Sequence, residues 1–191
     1  KKENITLFGV SAKYIDELRK TKKNYKKIHN LKKLRTICST GSPLSEESFN
    51  YVYKNIKSNV HLASISGGTD IVSCFVLGNL YQSVYSGEIQ CKGLGMDVRV
   101  FNEKGKSILN KKGELVCINP FPSMPNKFWK DAKDKKFKKA YFNKFKNIWH
   151  HGDYAKITNN NGFIIFGRSD TTLNPGGVRL GTAEIYSEVE K

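Results

Sequence analysis

The chain has 191 residues, a formal net charge of +16, and 38% hydrophobic and 12% aromatic residues. That length and apolar content allow a buried core and exclude a disordered polycation. Only five of the 33 basic residues are arginine, so the charge reads first as a compositional bias toward lysine and second as a surface for a polyanion, because forked recognition of bases and phosphates uses Arg.

In chain order, "NITLFGVS" is a short apolar run ending at Ser11, a helix N-cap, and Tyr14, Ile15 and Leu18 follow at helical spacing. After the basic loop "KKNYKKIHNLKK", "LRTICST" reads as a buried strand. "GSPLSEESFNYVYKNI" reads as a turn and a helix, with Pro43 in the first turn, Ser42 or Ser45 as cap, and Phe49, Val52, Tyr53 and Ile56 as its apolar stripe. "VHLASIS" is the next strand. Strand, helix, strand is the signature of a parallel sheet.

From about Ile71 the pattern changes to short strands, "IVSCFVL", "GEIQC", "MDVRVF", "GELVCI" and "GFIIFG", broken by "NEKG" and "NNNG". This half predicts a small antiparallel sheet or distorted barrel. Within it, "NKFWKDAKDKKFKKAYFNKF" predicts a helix with Phe128, Ala132, Phe137, Ala140, Tyr141 and Phe145 on one face and lysines opposite. The rival reading of this stretch is a nucleic-acid surface of basic residues and exposed aromatics. The helical spacing of the aromatics favours a core-facing stripe.

Cys38, Cys74, Cys91 and Cys117 form no C-x-x-C pair and no Cys/His cluster with metal spacing. They predict free thiols in a reducing compartment, and the lack of a signal or membrane-length apolar run predicts a cytoplasmic location. Lys1 at the start, and Lys191 straight after a helical pattern, give the expectation of an internal piece of a larger protein.

Nucleotide motifs of the commonest kinds fail. "GKS" at Gly105 has Val100 where a phosphate loop needs glycine, and "GLG" from Gly93 lacks a third glycine and a following helix. Two strand ends are better candidates. "STGSP" brings Gly41, Ser42 and Pro43 to the carboxyl end of a parallel strand, where open α/β sheets bind ligands, although an ordinary turn reads the same way. "SISGGTD" places Ser64, Ile65, Ser66, Gly67, Gly68, Thr69 and Asp70 at the end of the next strand, and backbone N–H groups, a hydroxyl and a carboxylate suit a phosphate with its Mg²⁺. In "WHHGDY", His150 and His151 alternate sides of an extended chain and are poor joint metal ligands, whereas Asp153 can accept both hydroxyls of a ribose or serve as a turn residue. The C-terminal "GRSDTTLNPGGVRLGTAEIYSEVE" sets Arg168 and Arg179 around a Gly-rich loop.

Taken in order, "STGSPLSEE", "SISGGTDI", "GELVC", "WHHGDYA" and this last stretch resemble the adenylate-forming superfamily of acyl-CoA synthetases. "SISGGTDIVSCF" and "PFPSMP" resemble its acetoacetyl-activating branch most and its acetyl-activating branch next. The resemblance covers the whole chain. It implies an α/β fold in which residues 1–85 end a parallel βαβ subdomain, 86–167 form an antiparallel β-rich subdomain, 168–170 are a hinge, and 171–191 begin a mobile C-terminal α+β domain. It implies MgATP-dependent activation of acetoacetate to an acyl adenylate and transfer to CoA, with acetate or propionate as alternative acids. Small molecules are then the partners, with no membrane and no nucleic acid.

The roles carried over by position are these. Gly41, Ser42 and Pro43 line one side of the adenine and Ser64 to Gly68 the other. Thr69 bonds the α-phosphate. Asp70 stands where relatives carry a metal-binding Glu, one methylene longer. Asp153 and Arg168 hold the ribose, and Asp170 is the hinge. Arg179 reaches the phosphates, and Gly177 lines the pantetheine tunnel. Gly67 replaces a Trp of the acetyl-activating relatives, which implies a longer acid pocket; the competing reading is a backbone requirement for glycine. The family's Ser/Thr/Gly-rich phosphate loop and catalytic Lys match nothing in the chain, so the 191 residues alone are expected to be inactive.

Overall fold

A computed structural model describes residues 3–170, 172–173 and 180–181. The described residues divide into two compact units, one containing 3–66 together with 76–91, the other 67–75 together with those from 92 onward. The sequence pattern changes at about Ile71 and the resemblance implied boundaries at 85/86, 167/168 and 170/171; the contacts group 67–75 with the second unit and 76–91 with the first.

The first unit is built on a parallel sheet in the order β1 (Leu7–Ser11), β2 (Thr36–Thr40), β3 (His61–Ser64). Helix α1 (Ala12–Lys20) follows β1 directly, because the Ser11 hydroxyl accepts the Tyr14 N–H at 3.1 Å and so caps the first turn. A single helical turn, α2 (Tyr25–Ile28), precedes β2. Helix α3 (Glu46–Tyr51) is capped by Ser45 rather than Ser42, with Glu46 and Glu47 in the first turn complementing the dipole. Pro43 therefore lies in the turn before the helix. Past Tyr51 the helix widens into a π-helical turn, Val52–Ile56, and the Lys57 N–H reaches back to the Val52 carbonyl. Phe49, Val52 and Ile56 bury their side chains as the stripe predicts, against Ile15, Ile37 and Leu62. Burial of each large apolar side chain in such a cluster contributes roughly 1.5–3 kcal/mol.

In the second unit, four antiparallel strands run in the order β10 (Phe163–Arg168), β9 (Trp149–Ile157), β8 (Gly113–Cys117), β7 (Val98–Phe101). Outside these two sheets, three shorter strands, β4 (Ser66–Gly68), β5 (Ser73–Leu77) and β6 (Cys91–Lys92), pair in that order. Residues 172–173 pair with 180–181. Trp149 anchors the core of this unit: it is 1% exposed and packs against Phe75, Phe121, Phe137, Tyr141 and Phe142.

The predicted long amphipathic helix is only seven residues, α4 (Lys135–Tyr141). Lys130, Lys133 and Asp134 adopt left-handed backbone conformations that interrupt it, and the Asp131 carboxylate instead accepts the N–H groups of Lys136 and Phe137. The aromatic face survives this break. Phe128, outside the helix, still meets Phe137 and Tyr141 edge-on, and Phe137 and Phe145 are buried, so the rings turn inward rather than forming a stacking surface. Cys117 is buried, and that burial pushes its thiol up to about 11, consistent with packing as a small hydrophobe.

Candidate functional site

In the first unit the register Ser39↔Ser64 sets the carboxyl ends of β2 and β3 side by side. Gly41, Ser42 and Pro43 follow one end, and Ser64, Ile65 and Ser66 the other, tied by the Ile65 N–H to the Ser39 carbonyl at 2.9 Å. Gly41 has φ +87°, a turn conformation that favours glycine. The pairing of these two strand ends, read from sequence, is therefore present. A separate apolar cavity of about 500 Å³ in this unit, lined by Phe8, Tyr14, Leu18, Leu31 and Leu34, involves none of these residues.

The second unit gathers the remaining described candidates. Antiparallel pairing of β9 and β10 opposes Arg168 to Asp153, after a bulge between Ile165 and Gly167. The Arg168 Nη1 lies 3.4 Å from Asp153 Oδ1, and its fork closes on Asp170, with Nε donating to Oδ1 at 2.8 Å and Nη2 to Oδ2. Gly152 makes this possible. It has φ +81°, and a Cβ there would stand 2.8 Å from Arg168 Nη2. The guanidinium holds the Asp170 carboxyl below its ordinary value, while burial pushes that of Asp153 up, with His151 and Arg168 opposing.

Gly67 and Gly68 lead from β4 into the turn that carries Thr69 and Asp70. A Cβ at Gly67 would overlap the Ser73 carbonyl and come within 2.6 Å of Cys74 Cα. The side from which a Trp would project is thus filled by β5 backbone. This geometry supports the backbone requirement at Gly67. Asp70 Oδ1 accepts the Ile71 N–H at 3.1 Å, and Oδ2 accepts the Tyr141 hydroxyl at 2.6 Å. Tyr141 itself lies flat on Trp149, with ring centroids 3.7 Å apart. Burial and then the Asp70 carboxylate push the phenol pKa up, so Tyr141 stays a donor. The turn closes through Val72, a β-branched residue at φ +49° that is 89% exposed.

His150 and His151 do face opposite ways. His150 Nε2 lies 2.8 Å from Glu114 Oε2, and because a carboxylate only accepts, this nitrogen carries the proton. His151 is buried edge-on against Phe75 with centroids 4.7 Å apart, its Nδ1 without a partner, and burial pushes its pKa down. Sequence reading missed three residues here. Glu114 looked like one strand position among many, Tyr141 like a core ring, and His151 like half of a rejected metal pair. The signal available for Glu114 was a charge inside the otherwise apolar "GELVC".

Among the described residues no group of three or more His, Cys, Asp or Glu side chains comes together as a metal cage, and no helix is long and apolar enough to cross a membrane. Arg179 and Gly177 lie outside the described residues.

No family model matches the chain. It is 57% identical over 189 residues to an acetoacetyl-coenzyme A synthetase of Rhizobium meliloti, covering 99% of this chain and 29% of that protein. The Gallus gallus acetoacetyl-CoA synthetase is 51% identical over 187 residues, 97% of this chain and 28% of its own. The chain thus spans less than a third of the length of these relatives. Among solved structures, the acetoacetyl-CoA synthetase of Streptomyces lividans superimposes with a TM-score of 0.87 at 37% identity, over 98% of this chain and 29% of that one. An anthranilate CoA ligase in complex with anthranoyl-AMP shares the fold, with a TM-score of 0.74 at 18% identity over 96% of this chain and 33% of its own.

Proposed function

We propose that this chain, homologous from end to end with one segment of acetoacetyl-CoA synthetases within the adenylate-forming ligases, forms part of the active site of an enzyme that joins acetoacetate to CoA with cleavage of ATP to AMP and pyrophosphate. The observation that carries the reading is Asp153 set opposite Arg168 across β9 and β10, beside Gly152, in a chain with 47–57% identity to such enzymes.

In the first half-reaction a carboxylate oxygen of acetoacetate attacks the α-phosphorus of ATP, and the bond to pyrophosphate breaks. In the second, the CoA sulfur attacks the acyl carbon, AMP leaves with the C–O bonding pair, and the thiol proton passes to solvent. Asp153 accepts the ribose hydroxyls, and Arg168 supplies a fixed fork beside it. The adenine lies between Gly41–Pro43 on one side and Ser64–Gly68 on the other. Thr69 donates its hydroxyl to the α-phosphate. Mg²⁺ neutralises phosphate charge when bound, and Asp70 is the residue that would hold it, since a single hard carboxylate combined with phosphate oxygens and water is a common set for this ion. Arg179 at the phosphates and Gly177 along the pantetheine belong to the same reading. Asp170 is the hinge at which the following segment turns between the half-reactions. In the conformation described, Arg168 holds its carboxylate.

The test is substrate-dependent ATP–pyrophosphate exchange by the full-length enzyme. Acetoacetate should support exchange with a higher kcat/KM than acetate or propionate. A preference for either of those acids would reassign the substrate, and no exchange with any acid would sink the reading. Asp170→Pro should retain exchange and lose thioester formation, because proline fixes φ where rotation is needed.

A further inference from the structure

We propose that Glu114 is a positioning residue that clamps the backbone immediately before the hinge, acting through Ser169, and that it thereby keeps Arg168 opposite Asp153. The role of the neighbouring hinge rests on the reaction assigned above.

Glu114 is a strand residue of β8, 4% exposed, and a bare carboxylate there would be strongly disfavoured. Three donors from distant parts of the sequence meet it. Its Oε2 accepts the Ser169 hydroxyl at 2.6 Å and the His150 Nε2–H at 2.8 Å, and its Oε1 is paired with the Lys144 ammonium. Burial alone would raise its pKa, but the bonds from His150, Lys144 and Ser169 outweigh it and hold the group down at about 2, so it is charged throughout the working pH range.

Ser169 is held twice. Its N–H donates to the Gly152 carbonyl of β9 at 2.7 Å, and its hydroxyl donates to Glu114 of β8. The two residues beside it bond mainly to each other, Arg168 to Asp170. Ser169 therefore extends the fastening to the sheet one residue past the end of β10 at Arg168, and the side-chain half of that fastening is Glu114. Without it, bending need not begin at Asp170. It can start one or two residues earlier, and Arg168 then loses its register with Asp153.

The experiment uses the full-length enzyme as wild type, Glu114→Gln, Ser169→Ala and the double variant. Hydrogen exchange is followed at residues 168–170, with ATP–pyrophosphate exchange and thioester formation measured separately. Gln keeps the shape but removes the charge, and its NH₂ faces either Lys144 or the His150 and Ser169 donors, where the carboxylate accepted from both sides. Ser169→Ala removes one hydroxyl from a half-buried position and keeps the fold as a control. Expected are amide exchange at Ser169 and Asp170 about tenfold faster in Glu114→Gln and a KM for ATP about tenfold higher, as loss of one charge-assisted hydrogen bond implies, with a smaller change in kcat. Ser169→Ala should move both quantities the same way. The double variant should be no worse than Glu114→Gln, because both substitutions break one linkage. Additive effects would overturn the proposal, as would a lowered Tm with wild-type KM and wild-type exchange at 168–170. If the wild type shows no acid-dependent pyrophosphate exchange, the assigned reaction fails, and the amide exchange still decides whether Glu114 fastens Ser169.

Discussion

Glu114 and Asp153 are two buried carboxylates on adjacent strands of one sheet, 4% and 6% exposed, yet their acidities move in opposite directions. Glu114 is driven down to about 2 and Asp153 is driven up. Burial pushes both upward; the difference lies in partners. Glu114 has a lysine, an imidazole N–H and a hydroxyl in bonding positions. Asp153 has Nη1 of a guanidinium at 3.4 Å, whose Nε and Nη2 are engaged with Asp170, and at 3.9 Å an imidazole whose pKa burial pushes down. A carboxylate whose lone pairs are filled by the protein stabilises the fold, whereas one left under-filled is suited to a ligand that brings its own donors, as the hydroxyls of a ribose do.

The largest effect should come from emptying the filled site. Glu114→Ala leaves His150 and Ser169 without their acceptor and should destabilise the chain by about 3 kcal/mol, measured by urea unfolding at neutral pH. The sign of the pH dependence follows from the lowered pKa. Glu114 contributes stability above its ordinary value of 4.5 and loses it as pH falls toward about 2, so the gap between wild type and variant should close over that interval. A gap that persists at the acid end would mean that packing, not charge, is lost.

Asp153→Asn should do the reverse. Nucleotide affinity of the full-length enzyme should fall by on the order of 1.5–3 kcal/mol, read by titration calorimetry, while Tm holds or rises. Because the folded pKa of Asp153 is raised, the ionised form weighs against folding as pH climbs above 3.8, and the Asn variant should gain relative to wild type in that direction. A loss of stability as large as that of Glu114→Ala would erase the contrast between the two sites.

Gly67→Ala probes the strand that leads to Thr69. The overlap with the Ser73 carbonyl should cost roughly 1–3 kcal/mol of stability and lower kcat/KM for acetate and acetoacetate alike. A shift in the ratio of the two acids would instead favour a pocket role for this position. The smallest change should come at Val72, whose left-handed backbone lies in the Thr69–Asp70 turn, whereas Glu114 sits in extended strand. Asn tolerates that conformation, so Val72→Asn should raise stability by about 1 kcal/mol without improving turnover. An unchanged Tm would show that the strain is relieved elsewhere.

Much of the framework was readable because it is written in short-range chemistry. Ser11 and Ser45 announce helix starts, Phe49, Val52 and Ile56 recur at helical spacing, and glycines mark the strand ends that pair in the first unit. Arg168 stood out as one of few arginines in a lysine-rich chain, and the fold sets its fork opposite Asp153. The predicted helix around Phe137 failed for the opposite reason. Periodicity records which face is apolar, but Lys133 and Asp134 take left-handed conformations that no local pattern specifies, since the aromatic packing on Trp149 outweighs helix propensity. Glu114 meets donors 30, 36 and 55 positions away, and Tyr141 reaches an aspartate 71 positions away. The sequence by itself determined most of the elements and the residue types that gather at the strand ends. Which carboxylate is filled by protein donors, and which is left under-filled, was decided by tertiary structure, because acidity depends on burial and on the donors that the fold brings within 3 Å.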